Sequence, residues 1–150
     1  MNTAAEVEEF LGSKTLAVVG VSRKRVGFGY TVFKDLKKKG YLVYPVNPHA
    51  DNVDGEQCYS GVTTLPQRVD GVVAVVPPEQ TEAVVREMSI AGIRRVWIQQ
   101  GAESDVAITF CREHGISVVA DQCIMMFARP TAAPHRVHRF VRGVMRKLPK

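Results

Sequence analysis

Three times along this chain a helix-like stretch ends in glycine and a β-branched run follows at once: KKKGYLVYPV at 37–46, IAGIRRVWIQ at 90–99 and EHGISVVA at 113–120. Gly40, Gly92 and Gly115 suit the left-handed position just past a helix, and the short connections make each junction a helix-to-strand step. The runs LAVVGV (16–21), YLVYPV (41–46), GVVAVV (71–76), RVWIQ (95–99) and ISVVA (116–120) are largely continuous rather than alternating. Strands covered on both faces read this way. Strands alternating with helices imply an α/β fold, a doubly wound and mostly parallel sheet, because right-handed crossovers place helices on both faces.

The intervening stretches carry helical signals. Residues 3–11 open with a capping box, Thr3 with Glu6, and end at Gly12. Over 29–39, Val32, Phe33 and Leu36 form the expected buried stripe, and Lys37, Lys38 and Lys39 sit where cations oppose the helix dipole. The lysine run is read as a solvated helix end, not a phosphate site. Over 78–91, Pro78 starts the helix and Val84, Val85, Met88 and Ala91 make its apolar side. Over 103–114, Val106, Phe110 and Cys111 are expected to do the same. Residues 47–70, rich in Pro, Asn, Asp and Gly, are read as an irregular crossover near a ligand crevice, with a short edge strand at Gln57–Tyr59.

With 150 residues, 45% of them hydrophobic, one core is expected. No apolar run approaches the roughly 20 residues needed to cross a bilayer, and the N-terminus is acidic where a secretion signal is basic, so the expected location is cytoplasmic. Cys58, Cys111 and Cys123 lie at spacings that fit neither a disulfide framework nor a CxxC metal site. The net charge of +5 belongs to one end: residues 129–150 hold seven Lys and Arg and no acid, leaving −2 for residues 1–128. The basicity therefore says little about the ligand of the domain itself. The expected division is a ligand-binding domain over 1–128 and a linker with a basic amphipathic helix over 129–150. That helix is expected to dock on the domain, a second subunit or a partner protein, with no specific nucleic-acid role.

In an open parallel sheet the ligand sits beyond the carboxyl ends of the strands, where strand order reverses. That rule selects GVSRKRVGFG (20–29), VNPHA (46–50) and VVPPEQ (75–80), with IQQGAES (98–104) behind them. The first is a strand, a turn and a helix start, which aims backbone N–H groups at an anion such as a diphosphate. It is not GxGxxG, since Ser22 and Arg25 stand at the second and third glycine positions. Arg23, Lys24 and Arg25 either serve a ligand with an additional phosphate or form a solvated basic loop; both readings stay open at this point. Strand two ends in Asn47-Pro48, without the carboxylate that grips the ribose of NAD, which leaves an NADP-type oxidoreductase as an alternative.

Taken in order, AVVGVSRK (17–24), GY-x-VYPVNP (40–48), Gly55 with Tyr59, VDGVVAVVPPE (70–79), GI-x-x-VWIQQGAES (92–104) and GI-x-VV-x-D-x-C (115–123) resemble the CoA-binding domain seen in small stand-alone bacterial proteins and at the N-terminus of the succinyl-CoA synthetase alpha subunit. The resemblance covers about residues 10–128. It implies a Rossmann-like domain that binds coenzyme A by its adenosine diphosphate part. By position, Gly20, Val21, Ser22, Arg23, Lys24 and Arg25 contact phosphates, Asn47 and Pro48 line the nucleotide pocket, Val76 and Pro77 flank the crevice, and Ile98, Gln99, Gln100 and Gly101 border the pantetheine side. Where the alpha subunit has a lysine shortly after the strand-two loop, this chain has His49-Ala50. The phosphohistidine of the synthetase lies in a further domain that this sequence does not contain, so a non-catalytic CoA or acyl-CoA binding module is expected.

The competing catalytic reading is an acyl-CoA enzyme using Cys123 or His49. A reactive cysteine needs a base or a cationic neighbour, and the sequence supplies no evident partner for Cys123. The histidines offer no metal set, and Trp97 and Cys111 read as core.

Overall fold

The computed structural model of this chain describes residues 2–130, so the basic tail from residue 131 onward lies outside the described residues. Five parallel strands form the sheet: β1 (Thr15–Val19), β2 (Leu42–Val46), β5 (Gly71–Ala74), β6 (Arg95–Gln99) and β7 (Ser117–Gln122), in the order β2-β1-β5-β6-β7. Helices α1 (Ala4–Leu11), α2 (Phe28–Lys38), α3 (Pro78–Ala91) and α4 (Asp105–Glu113) cover it. From β1 the chain crosses to β2 on one side, then returns to place β5 on the other. Strand order therefore reverses between β1 and β5, and this is the Rossmann-like α/β arrangement that the alternating pattern implied.

Each strand divides its side chains between two apolar layers. Leu16, Val18, Val73, Trp97 and Val119 pack with Val7, Phe10, Val32, Phe33 and Leu36 of α1 and α2. Ala17, Val19, Val72, Ala74, Val96, Ile98 and Val118 pack with Val84, Val85, Met88, Ala107, Phe110 and Cys111 of α3 and α4. A side chain on either face meets a helix, which is why the strands read as continuous apolar runs. Trp97 is fully buried between Phe10 and Phe127, at ring centroid distances of 5.5 and 5.6 Å, and its indole N–H donates to the Gln122 carbonyl at 2.8 Å.

The local signals play out with three corrections. The capping box is formed, Thr3 accepting from the Glu6 N–H and Glu6 from the Thr3 N–H. Gly40, Gly92 and Gly115 all have positive φ. Val106, however, is 56% exposed, and the buried stripe of α4 is Ala107, Phe110 and Cys111. Val106 precedes Ala107 by one residue, which turns it about 100° away from the sheet. The lysine run is only partly solvated: Lys37 pairs with Glu56, and Lys39 bonds Asp35 at 2.7 Å and the Met125 carbonyl at 3.3 Å, leaving Lys38 exposed. The expected edge strand at Gln57–Tyr59 is instead a hairpin, β3 (Asn52–Val53) with β4 (Glu56–Gln57), followed by a single bridge from Tyr59 to Val46. Asp54 and Gly55 both have positive φ, 53° and 78°, as the tight two-residue hairpin turn demands.

Candidate functional site at the strand-order reversal

The turn after β1 is built around a close approach of three backbones. Gly20, at φ 108°, lies against the Val75 carbonyl, and a Cβ there would collide with that oxygen. Gly29, in the first turn of α2, lies against the Gly20 carbonyl in the same way. Glycine at both positions lets the α2 start and the β1 end pack backbone to backbone, which no side chain allows. Gly20 also donates to the Val46 carbonyl at 2.9 Å, so the ends of β1, β2 and β5 meet at this residue.

Two clefts flank the meeting point. The first, about 540 Å³, lies on the α3 face and is lined by Val19, Gly20, Val46–His49, Ser60–Val62, Val75–Pro77 and the α3 residues Glu79, Gln80, Ala83, Val84 and Glu87. The second, about 520 Å³, is lined by Gly20, Ser22, Val26–Gly29, Val75–Pro77 and Gln99–Ala102. Gly20 and Val75–Pro77 are shared by both. The ridge between the clefts is thus the reversal point of the sheet.

Two helices start at this ridge without a side-chain cap. Neither Gly27 before α2 nor Pro77 before α3 supplies a capping hydrogen bond, whereas Thr3 caps α1 and Ser104 caps α4. The first N–H groups of α2 remain available to an anion and carry the positive end of the helix dipole, whereas at the start of α3 Pro77 and Pro78 have no N–H and Gln80 gives its own to the Pro77 carbonyl at 2.9 Å. Side chains hold the surrounding loops. Asn47 donates from Nδ2 to the Val21 carbonyl at 2.9 Å and accepts the His49 N–H on Oδ1 at 2.8 Å, joining the loops after β1 and β2. Thr81, fully buried, donates to the Ala102 carbonyl at 2.7 Å and fixes the loop after β6 on α3.

Most residues selected from the sequence lie at the two clefts. Asn47, Pro48, Val76 and Pro77 line the first, and Ser22, Val76, Pro77, Gln99, Gln100 and Gly101 line the second, with Gly20 in both. Val21 and Ile98 are fully buried and line neither. The three cations of the turn diverge. Arg23 reaches the His49 carbonyl at 3.4 Å, Lys24 is exposed with its N–H on the Ser22 hydroxyl, and Arg25, at φ 60°, bonds Asp54 through Nε at 2.7 Å. Asp54 also accepts from the Tyr30 hydroxyl at 2.8 Å and pairs with Lys34 at 3.2 Å. The Tyr30 hydrogen bond, with these cations, holds the Asp54 carboxyl below its usual range, and the same bond raises the Tyr30 hydroxyl.

Gln99 sits at the second cleft with 1% exposure. Its Oε1 accepts the Ile124 N–H at 3.1 Å, and its Nε2 has no partner among the described residues. Sequence reasoning did not single out Ser60–Val62, Ala83, Val84 or Glu87 as site residues. The spacing of Glu79, Gln80, Ala83, Val84 and Glu87 on one helix face could have signalled the α3 residues, and nothing comparable marks Ser60–Val62.

Among the described residues neither catalytic candidate gains a base or cation as a side-chain partner. Cys123 is half-buried after β7 and lines neither cleft, and His49 is exposed at the rim of the first. Among the described residues no group of three His, Cys, Asp or Glu side chains could hold a metal ion, and no helix is long and apolar enough to cross a membrane.

Comparison with known proteins adds the family. The model described as a CoA binding domain matches residues 14–129. The uncharacterized protein YneT of Bacillus subtilis is 32% identical over 121 residues, covering 80% of this chain and 90% of that one. The ADP-forming acetate–CoA ligase II subunit alpha of Pyrococcus furiosus is 28% identical over 129 residues, 79% of this chain, which spans only 28% of that subunit. A solved structure of a hypothetical protein from Pyrococcus horikoshii is 31% identical with a TM-score of 0.79, covering 95% of this chain and 94% of the other.

Proposed function

Since the chain belongs to the CoA-binding domain family, we propose that it binds coenzyme A or an acyl-CoA across the ridge between its two clefts and performs no chemistry of its own. The diphosphate rests on the turn from Gly20 to Arg25 and the uncapped start of α2. The adenosine enters the first cleft beside Asn47 and Pro48. The pantetheine arm leaves through the second, past Val76, Pro77 and Gln99–Gly101. Residues 1–128 form the binding unit.

The observation that carries this reading is the convergence at Gly20. One glycine lines both clefts, abuts the Val75 carbonyl and stands beside two helix N-termini that no side chain caps. A ligand with a central diphosphate and an arm on each side matches that shape. The loop cations favour a ligand with a further phosphate, because Arg23 and Lys24 stand on the turn, while Arg25 is held by Asp54. The non-catalytic part rests on where the two candidates stand: Cys123 lines neither cleft, and His49 lies exposed at the rim of the first.

Calorimetric titration with CoA, dephospho-CoA, NADP and NAD tests the reading. CoA is expected to bind tightest, with dephospho-CoA weaker by the loss of one phosphate contact. Tighter binding of NADP than of CoA would overturn it. Incubation with acyl-CoAs followed by intact-mass measurement is expected to show neither an adduct nor released CoA. An acyl adduct on Cys123 would refute the non-catalytic part.

A further inference from the structure

The first cleft holds an unexplained carboxylate. Glu79, Gln80, Ala83, Val84 and Glu87 line it from a single face of α3, so the cleft follows the helix for two turns. Glu79 stands in the first turn, near the ridge, and is exposed. Glu87 lies eight residues further, about 12 Å along the axis at 1.5 Å per residue, and is half-buried. Its carboxylate has no hydrogen-bond or ion-pair partner among the described residues. Gly61 on the opposite wall faces it so closely that a Cβ there would collide with Glu87 Oε1. Among the described residues no lysine or arginine lines this cleft.

A carboxylate in such a place repels anions and favours N–H donors. Its surroundings narrow the donor further. Val19, Val46, Val62 and Val84 give the cleft apolar walls, which suit a flat ring rather than an alkylammonium. The 12 Å from the first turn of α3 reaches past a ribose to a base when the diphosphate lies on the ridge. Strand two meanwhile lacks the acidic residue that would grip the ribose there, since Asn47 spends its amide on Val21 and His49.

Resting on the CoA reading above, we propose that Glu87 is the residue that reads the base, accepting a hydrogen bond from the exocyclic amine of adenine, with Gly61 leaving room for its carboxylate. The cleft then selects a 6-amino purine. A 6-oxo purine presents a carbonyl oxygen to the carboxylate and is rejected.

The test titrates the full chain and its Glu87→Gln and Glu79→Gln variants with CoA and with the hypoxanthine analogue of CoA. The unchanged protein is expected to bind CoA about tenfold or more tightly than the analogue, the value of one hydrogen bond to a charged group. Glu87→Gln is expected to bring the two ligands within about threefold, because an amide both donates and accepts. Glu79→Gln keeps the preference. Glu87→Gln is expected to melt with the unchanged protein, since its carboxylate has no partner to lose. Equal binding of both ligands by the unchanged protein overturns the assignment of Glu87 while leaving CoA binding intact. A preference that survives in Glu87→Gln, or is lost in Glu79→Gln, also overturns it. So does a Glu87→Gln chain that fails to fold, which would make the carboxylate structural. Failure of the unchanged protein to bind CoA is a separate result and removes the parent reading.

Discussion

Replacing Gly20 by alanine separates two costs that glycines carry in this fold. At φ 108° an L side chain is strained, and the backbone alone accounts for about 2 kcal/mol. The new Cβ would also collide with the Val75 carbonyl oxygen, which is backbone held in the β5 end and cannot swing aside as a side-chain tip can. Relief requires β1 and β5 to part, an overpacking cost of about 1–3 kcal/mol. The sum is about 3–5 kcal/mol. Gly55→Ala is the control, because Gly55 also has positive φ, 78°, but nothing within 4 Å of the added Cβ. Only the conformational cost of about 1–2 kcal/mol applies there. Urea unfolding of the three proteins measures both differences, and thermal melting should show a loss of roughly 10 °C or more for Gly20→Ala. If Gly20→Ala proves as stable as Gly55→Ala, the close approach at the ridge does not constrain the fold, and the argument for the site built on it fails.

Asp70 accepts the Lys14 and Thr15 N–H groups at 2.8 and 3.2 Å, tying the start of β1 to the turn before β5, and these bonds hold its carboxyl below the usual range. Its contribution is therefore present above the unfolded carboxyl pKa and is lost as pH falls through the lower folded value. Asp70→Asn should cost about 1 kcal/mol at neutral pH, and urea melts of variant and parent should converge in acid. Asn47→Ala removes the bridge between the loops after β1 and β2. It is expected to weaken CoA binding about tenfold in calorimetry, with about 1 kcal/mol lost in unfolding. Cys58 and Cys111 are buried and burial pushes their thiols up, that of Cys111 to about 12. Iodoacetamide should therefore add one carbamidomethyl group to the folded chain, on Cys123, as read by intact mass and peptide mapping.

The parallel sheet was legible because its strands are buried on both faces, which writes continuous apolar runs such as LAVVGV between glycine-ended helices. The two clefts lie where topology puts a crevice, and Gly20, Asn47, Val76 and Gln99, picked out from the sequence, line them. Other features depend on contacts distant in sequence. Nothing near Glu87 indicates that Gly61 will face it, and nothing in the lysine run indicates that Lys37 will meet Glu56. The misreading of Val106 came from taking it, rather than Ala107 one residue of helical rotation away, as the first residue of the buried stripe of α4. The hairpin at 52–57 was in fact written locally, as Asp54-Gly55, the strongest short signal for a two-residue turn. It was obscured by the Pro- and Asn-rich surroundings. The cations show the limit most directly, since a run of Arg23, Lys24 and Arg25 fixes charge but not direction, and Arg25 turns to Asp54.

The claim that CoA lies across the ridge at Gly20 is tested most directly by following backbone amide resonances of the isotope-labelled protein during a CoA titration. The largest shifts are predicted at Gly20, Ser22, Gly27–Gly29, Val76 and Gln99–Gly101, with a second group at Asn47 and Gly61–Val62, all saturating along one binding curve. Saturable shifts that leave Gly20 and the start of α2 unmoved, and cluster instead around Glu6, Arg112 and Ser117 on the far side of the fold, would contradict it.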